Sequence, residues 1–169
     1  MFESRVLGVD PGLARLGLAV VEGSGRKAAL VWAGAVSTAA GMDESERLRQ
    51  ICVAVREAVS VHRPASLALE RVAWNKNQVS ALTVARATGA IMVVAADAGL
   101  PVTEYGPNEV KIAVTGMGNA DKAQVRRALV RVHGLRDAPL QADAADAVAV
   151  ALTHLVGARM RGLARSGSR

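Results

Sequence analysis

Residues 6–21, VLGVDPGLARLGLAVV, constrain the fold more than any other stretch: two apolar runs stand on either side of a Pro11-Gly12 turn. Short runs rich in Val and Leu, punctuated by Pro-Gly, read as strands, and so tight a connection pairs them as an antiparallel hairpin. A hairpin by itself is marginal in water, so the rest of the chain must place a core behind it. The first run ends on a carboxylate, Asp10. An acid closing a buried strand costs free energy unless something binds it. Three uses stand open at this point: a metal ion, a phosphate held by glycine amides, or the turn itself.

The chain continues in the same alternating manner. Strands are expected over residues 5–10, 16–22 and 28–37, an antiparallel meander with a turn at 23–27. A helix starts near Met42 and carries the apolar stripe Leu48, Ile51, Cys52, Val55, Val59 before Arg63-Pro64 stops it. Residues 66–70, SLALE, form a short strand that again finishes on an acid, Glu70. A polar loop around Trp74 leads into a helix over 78–98, apolar on most faces from Ala85 onward. Such a helix is buried on two sides, within one subunit or between two. A fifth strand is expected at 100–104, then helices at 108–114, 120–132 (basic) and 142–159. The order is that of an α/β domain with a mixed five-stranded sheet flanked by helices. One domain is expected over 1–158, followed by a basic, disordered tail at 159–169.

Composition narrows the class. Hydrophobic residues make up 51% and charged residues 21%, which excludes disorder, and aromatics at 2% leave Ala, Val and Leu to fill the core. The longest apolar run, residues 90–96, is too short to span a bilayer, and no signal-peptide pattern opens the chain. The single cysteine, Cys52, cannot form an internal disulfide, so a buried thiol in a cytosolic protein is expected. Net charge is +6, and residues 105–169 hold ten Lys and Arg against five Asp and Glu, so +5 of it lies there. A basic region that also contains Asp143 and Asp146 suits an enzyme that grips a polyanion; a basic solubilising face is the bland alternative.

Four acids recur at informative places: Asp10, Glu70, Asp143 and Asp146. Residues three apart share a helix face, so Asp143 and Asp146 point together. If the first and fourth strands are neighbours, Asp10 and Glu70 lie side by side at one sheet edge. An all-oxygen cluster favours Mg²⁺ or Mn²⁺ over zinc, and like charges that repel are held together best by a cation. Each acid also has a plain use: a turn for Asp10, a solvated strand end for Glu70, a helix cap and first-turn acid for Asp143 and Asp146. The histidines are not expected to be ligands. His62 and His133 fall in polar, loop-like surroundings, and His154 lies about two to three turns beyond the aspartates.

On these motifs the sequence resembles the RuvC family of Holliday-junction resolvases, endonucleases with an RNase H-like fold. The matching stretches are LGVDPGLARLGLAVV, ALERV, KNQVSALTVARATGAI, LPVTEYGPNEVKIAVTGMGNADKAQV and QADAADAVAVALTH, nearly the whole chain. The first is shared by other strand-turn-strand proteins; the last two, in that order, are far more specific. The resemblance implies that Asp10, Glu70, Asp143 and Asp146 bind metal, and that Lys111 and Lys122 form the basic pair near the scissile phosphate. It implies two Mg²⁺ (or Mn²⁺) ions per site, about 3.5–4 Å apart, with Asp10 bridging them and Lys122 offsetting transition-state charge. An aromatic that stacks on bases is expected in the loop after Glu70. Here that position is Ala73, a departure, and Trp74 is the neighbouring candidate. Arg71, Lys76 and Asn77 are candidate DNA contacts on the same loop.

The resemblance further implies four-way junction DNA as substrate, paired symmetric nicks by a homodimer, and a branch-migration motor as a partner. The apolar helix over 78–98 is the candidate dimer interface. Rival readings are an actin-like ATPase, for which the chain is too short, an RNase H-like nuclease acting on RNA or another branched substrate, and a catalytically silent nucleic-acid-binding module.

Overall fold

A computed structural model describes residues 4–23, 27–72, 78–131 and 141–166. Its strands are β1 (Ser4–Asp10), β2 (Arg15–Gly23), β3 (Ala28–Ser37), β4 (Ser66–Glu70) and β5 (Val102–Tyr105). Its helices are α1 (Glu44–His62), α2 (Gln78–Asp97), α3 (Pro107–Thr115), α4 (Lys122–Arg131) and α5 (Ala142–Ser166). The strands form one sheet in the order β3-β2-β1-β4-β5. β1 runs antiparallel to β2 and parallel to β4, and β5 is parallel to β4, so the expected mixed sheet is present.

Alternation along the strands sorts the core into two layers. Leu7, Val9, Leu67 and Leu69 face one side, where they pack with Ile51 and Val55 of α1 and Ala87, Ile91 and Val94 of α2. Val6, Ala19, Val21 and Ala68 face the other, against Ala147, Val148 and Ala151 of α5 and the apolar residues of α3 and α4. Both faces of the central strands are covered, which is why β1 and β4 read as nearly unbroken apolar runs.

Gly8 and Gly17 set how closely α5 lies on this sheet. A Cβ on Gly8 would collide with the Ala147 carbonyl oxygen and come 2.7 Å from Ala151 Cβ; one on Gly17 would collide with the Asp143 carbonyl oxygen. Only a residue without a side chain lets the helix backbone sit on the strand at this distance. The helix contributes the small face that such an approach needs, with Ala144, Ala147 and Ala151 all buried.

Several boundaries differ from those the sequence suggests. α5 continues to Ser166 instead of ending at Arg159, so the expected disordered tail is helical as far as the described residues reach. Ala, Leu, Met and Arg in that stretch are strong helix formers, and extending an existing helix costs little. β5 begins at Val102 because the Leu100 amide is spent on the Ala95 carbonyl, 2.9 Å, in the turn that closes α2. α4 begins at Lys122 because Asp121 caps it: the Gln124 amide donates to Asp121 Oδ1 (2.7 Å) and the Asp121 amide to Gln124 Oε1 (2.8 Å). His62 is not in a loop but ends α1, where its ring stacks on Trp32 at 5.0 Å. Cys52 is half-buried, its thiol 3.9 Å from the Ala90 carbonyl. His133 and residues 134–140 lie outside the described residues.

Candidate active site

Asp10 leaves the sheet where β1 ends, cross-strand from Gly17. The parallel pairing of β1 with β4 runs through Val9 and Leu69, so the next residue on each strand, Asp10 and Glu70, emerges at the same edge. Their carboxyls adjoin there, and the charge of Glu70 helps to raise Asp10. The turn after Asp10 is fixed from outside the hairpin. The Thr38 hydroxyl donates to the Leu13 carbonyl (2.5 Å), the Thr38 amide to the Ala14 carbonyl (3.1 Å), and Arg47 Nε of α1 donates to Thr38 Oγ1 (2.8 Å).

The other two acids arrive on α5. Asp143 and Asp146 lie in its first turns, and the close seat of the Asp143 backbone on Gly17 brings them over the edge where Asp10 ends. Lys122 Nζ donates to Asp146 Oδ2 at 2.8 Å, and Arg15, largely exposed, stands 3.7 Å from Asp143 Oδ2. Glu70, Asp146, Lys111 and Lys122 line a cleft of about 190 Å³ floored by Val110 and Val125.

The electrostatics show how tightly the acids are held. Burial, followed by the charges of Glu70 and Asp146, pushes the Asp10 carboxyl up to about 8. Burial and Asp146 also raise Glu70, against the hydrogen bond from Asp10 and the charges of Lys122 and Lys111. Both carboxyls are thus raised, as expected for adjoining buried acids that cannot both ionise easily. The Lys122 ammonium is held charged above its ordinary range, first by its hydrogen bond to Asp146.

Among the described residues, no three His, Cys, Asp or Glu side chains converge closely enough to enclose an ion as they stand. Lys122 and Arg15 stand against the two α5 aspartates, and burial raises the other pair. The donor set nonetheless suits a hard divalent cation: four carboxylates whose mutual repulsion such an ion would relieve, with no nitrogen or sulfur among them.

Of the residues singled out in the sequence, Asp10, Glu70, Asp143, Asp146, Lys111 and Lys122 gather here. Arg71 follows Glu70 with an exposed side chain, its amide bound to the Tyr105 carbonyl at 2.8 Å. Trp74, Lys76 and Asn77, with Ala73, lie outside the described residues. Four contributors were missed by sequence reasoning. Gly17 carried a signal, a glycine inside an apolar strand, which marks close backbone approach. Asp121 and Gln124, whose spacing is that of a capping box, fix Lys122 at the first position of α4. Arg15 and the Thr38–Arg47 clamp had no local signal.

A sheet in the order β3-β2-β1-β4-β5, with acids at the ends of β1 and β4 and a helix bringing two more across them, defines an RNase H-like nuclease domain. The sequence model of the family described as crossover junction endodeoxyribonuclease RuvC matches residues 6–154. The chain belongs to this family of metal-dependent endonucleases. It is 47% identical over 151 residues to the crossover junction endodeoxyribonuclease RuvC of Nocardia farcinica, covering 89% of this chain and 80% of that one. The corresponding Saccharopolyspora erythraea protein is 45% identical over 159 residues, covering 94% and 80%. A solved structure of Thermus thermophilus RuvC in complex with a Holliday junction substrate superimposes with a TM-score of 0.88 at 39% identity, covering 94% of this chain and 96% of that one. These likenesses favour a junction nuclease over an RNA-directed one. No helix among the described residues is long and apolar enough to cross a membrane.

Proposed function

We propose that the chain resolves four-way DNA junctions by nicking two opposed strands symmetrically, each nick made at an Asp10–Glu70–Asp143–Asp146 site. The observation that carries this reading is the emergence of Asp10 and Glu70 at one sheet edge, with Asp143 and Asp146 on the helix seated over it, inside a family of junction nucleases. Asp10, Glu70, Asp143 and Asp146 would together hold two Mg²⁺ or Mn²⁺ ions. Bound there, the cations supply an activated water and stabilise the leaving 3′ oxygen. Lys122, already beside Asp146, places positive charge where the phosphate gains negative charge, and Lys111 adds to it across the cleft. Arg71 extends the cationic rim, and Trp74, Lys76 and Asn77, which follow in the sequence, stack on bases or reach phosphates. The chain acts in the cytoplasm, alongside a branch-migration motor.

The reading is tested by junction cleavage with wild type and Glu70→Gln, each metal supplied in turn. Wild type should cut four-way junctions in preference to linear duplex and structured RNA, and Glu70→Gln should not cut. Equal cutting of duplex, or full activity in the variant, would remove the proposal. Junction binding should weaken steeply with salt, since phosphate contacts dominate affinity. A filter-binding series across salt concentrations that stayed flat would contradict a phosphate-gripping cleft.

A two-fold symmetric substrate calls for two sites, and α2 offers the surface for a C₂ dimer. Its inner face buries Ala87, Ile91 and Val94, while Val79, Leu82 and Val93 stand exposed on the other. Sedimentation at micromolar concentration should give a dimer, and Leu82→Glu should give monomers.

The raised Asp10 carboxyl gives a pH prediction. In the folded protein without cation, Asp10 holds its proton up to about pH 8, against 3.8 when unperturbed. The folded state binds more protons between these limits, so this contribution to stability is present at low pH and is lost as pH rises towards 8. Cation binding must expel that proton. The half-saturating Mg²⁺ concentration should fall as pH rises from 6 to 8 by up to about tenfold per unit, then level off. A calorimetric titration with no pH dependence would exclude so raised an Asp10 carboxyl.

A further inference from the structure

His154 is not near enough to the four acids to bind what they bind, yet its ring ties together the elements that carry them. Its Nε2 is 3.2 Å from Ser66 Oγ at the start of β4, and its Nδ1 is 3.0 Å from the Tyr105 hydroxyl at the end of β5. The Tyr105 ring also meets the imidazole edge-on, with centroids 6.0 Å apart. Ser66 and Tyr105 are buried among otherwise apolar neighbours, where an unpaired hydroxyl is costly. Both hydroxyls can donate or accept, so the two bonds persist whichever ring nitrogen carries the proton.

The bridged residues are those that locate the active-site acids. Tyr105 is the cross-strand partner of Glu70, and its carbonyl accepts from the Arg71 amide at 2.8 Å. Ser66 opens the strand that Glu70 closes. His154 stands on α5, whose first turns carry Asp143 and Asp146. One imidazole thus spans the strand pair holding Glu70 and the helix holding the two aspartates. The apolar packing around it would permit small slides of α5 along the sheet, because Ala and Val contacts have little direction. Two hydrogen bonds to a single ring do not permit them.

We propose that His154 is a positioning residue for the nuclease site: it fixes the register of α5 against β4 and β5, and so the distance between Glu70 and the Asp143–Asp146 pair. The inference rests on the four-acid site proposed above. Groups hydrogen-bonded directly to a metal ligand typically contribute about 10–100-fold to metal affinity or activity; His154 acts one residue further out, through Ser66 and Tyr105, and its loss is expected within that range.

The test compares wild type with His154→Ala, His154→Gln, Tyr105→Phe and Ser66→Ala. Each is measured by single-turnover junction cleavage, junction affinity, and calorimetric titration with Ca²⁺ in the absence of DNA. His154→Ala should cut about 10–100-fold more slowly and bind Ca²⁺ about tenfold more weakly, with junction affinity unchanged. His154→Gln, whose amide can still reach one hydroxyl, should recover part of both losses. Tyr105→Phe and Ser66→Ala each remove one bond with the core still filled, and should show the same pattern more mildly; they decide the matter if His154→Ala does not fold. Variants that are less stable to heat but match wild type in cleavage rate and Ca²⁺ affinity would overturn the proposal, leaving His154 as packing alone. Wild type that fails to cut junctions would instead overturn the functional reading.

Discussion

Asp10→Asn is expected to lower junction cleavage by at least about 10³-fold, the several kcal/mol that positioned metal ions contribute to a phosphodiester transition state. It should do so without weakening the fold. The amide has the shape of the carboxyl and can donate to Glu70 as the protonated Asp10 does. Above about pH 8 the wild-type pair must carry two repelling charges in a buried place, whereas the variant carries one. Thermal unfolding in chelator at pH 9 should therefore show the variant at least as stable as wild type. Added Mg²⁺ should reverse the order, raising the wild-type midpoint and leaving the variant's unchanged. Junction affinity should stay within a few-fold, because Lys111, Lys122 and the basic rim are intact. An Asp10→Asn protein that cuts at the wild-type rate, or loses stability in chelator, would mean that Asp10 serves the turn and not the chemistry.

The acids were legible in the sequence because each closes an element whose type is unmistakable. Asp10 and Glu70 end short apolar strands, and Asp143 and Asp146 open an apolar helix. Strand order was open to inference because a β-α-β passage from β3 to β4 leaves few parallel partners for SLALE. The expected boundaries failed where hydrogen bonding, not hydrophobicity, decides. Asp121 and Gln124 exchange two bonds that move the start of α4, and Leu100 is drawn into the turn after α2. The His154 bridge was illegible for a different reason. Its partners lie 88 and 49 residues away in the chain, and no local pattern marks a histidine that will find two hydroxyls. His154 is remote from the aspartates, and its contacts are with Ser66 and Tyr105 on the strands instead.

Gly17 shows how a fold constraint becomes a catalytic one, and Gly17→Ala should have the second large effect. The added methyl would run into the Asp143 carbonyl oxygen, with the Ala144 amide nitrogen at 3.2 Å behind it. All of these are backbone atoms of a helix already seated on the sheet, so no flexible side chain can turn aside. Either β2 or α5 must move, at a cost of about 1–3 kcal/mol for overpacking, or roughly 2–12 °C in melting temperature for a domain of this size. The displacement falls on the residue that brings one of the four acids to Asp10, whose cross-strand partner is Gly17 itself. A misplacement of about 1 Å can cost about 10²-fold in rate, so cleavage measured on the folded fraction should fall by that order. Gly41→Ala is the control: nothing lies within 4 Å of the methyl it would add, and it should change stability by less than about 0.5 kcal/mol. If Gly17→Ala melted early but cut normally at a temperature where it is folded, α5 would be able to shift without moving Asp143, and the glycine would serve packing only. The expected joint loss would mean instead that the missing side chain on β2 is part of how the helix aspartates reach the strand acids.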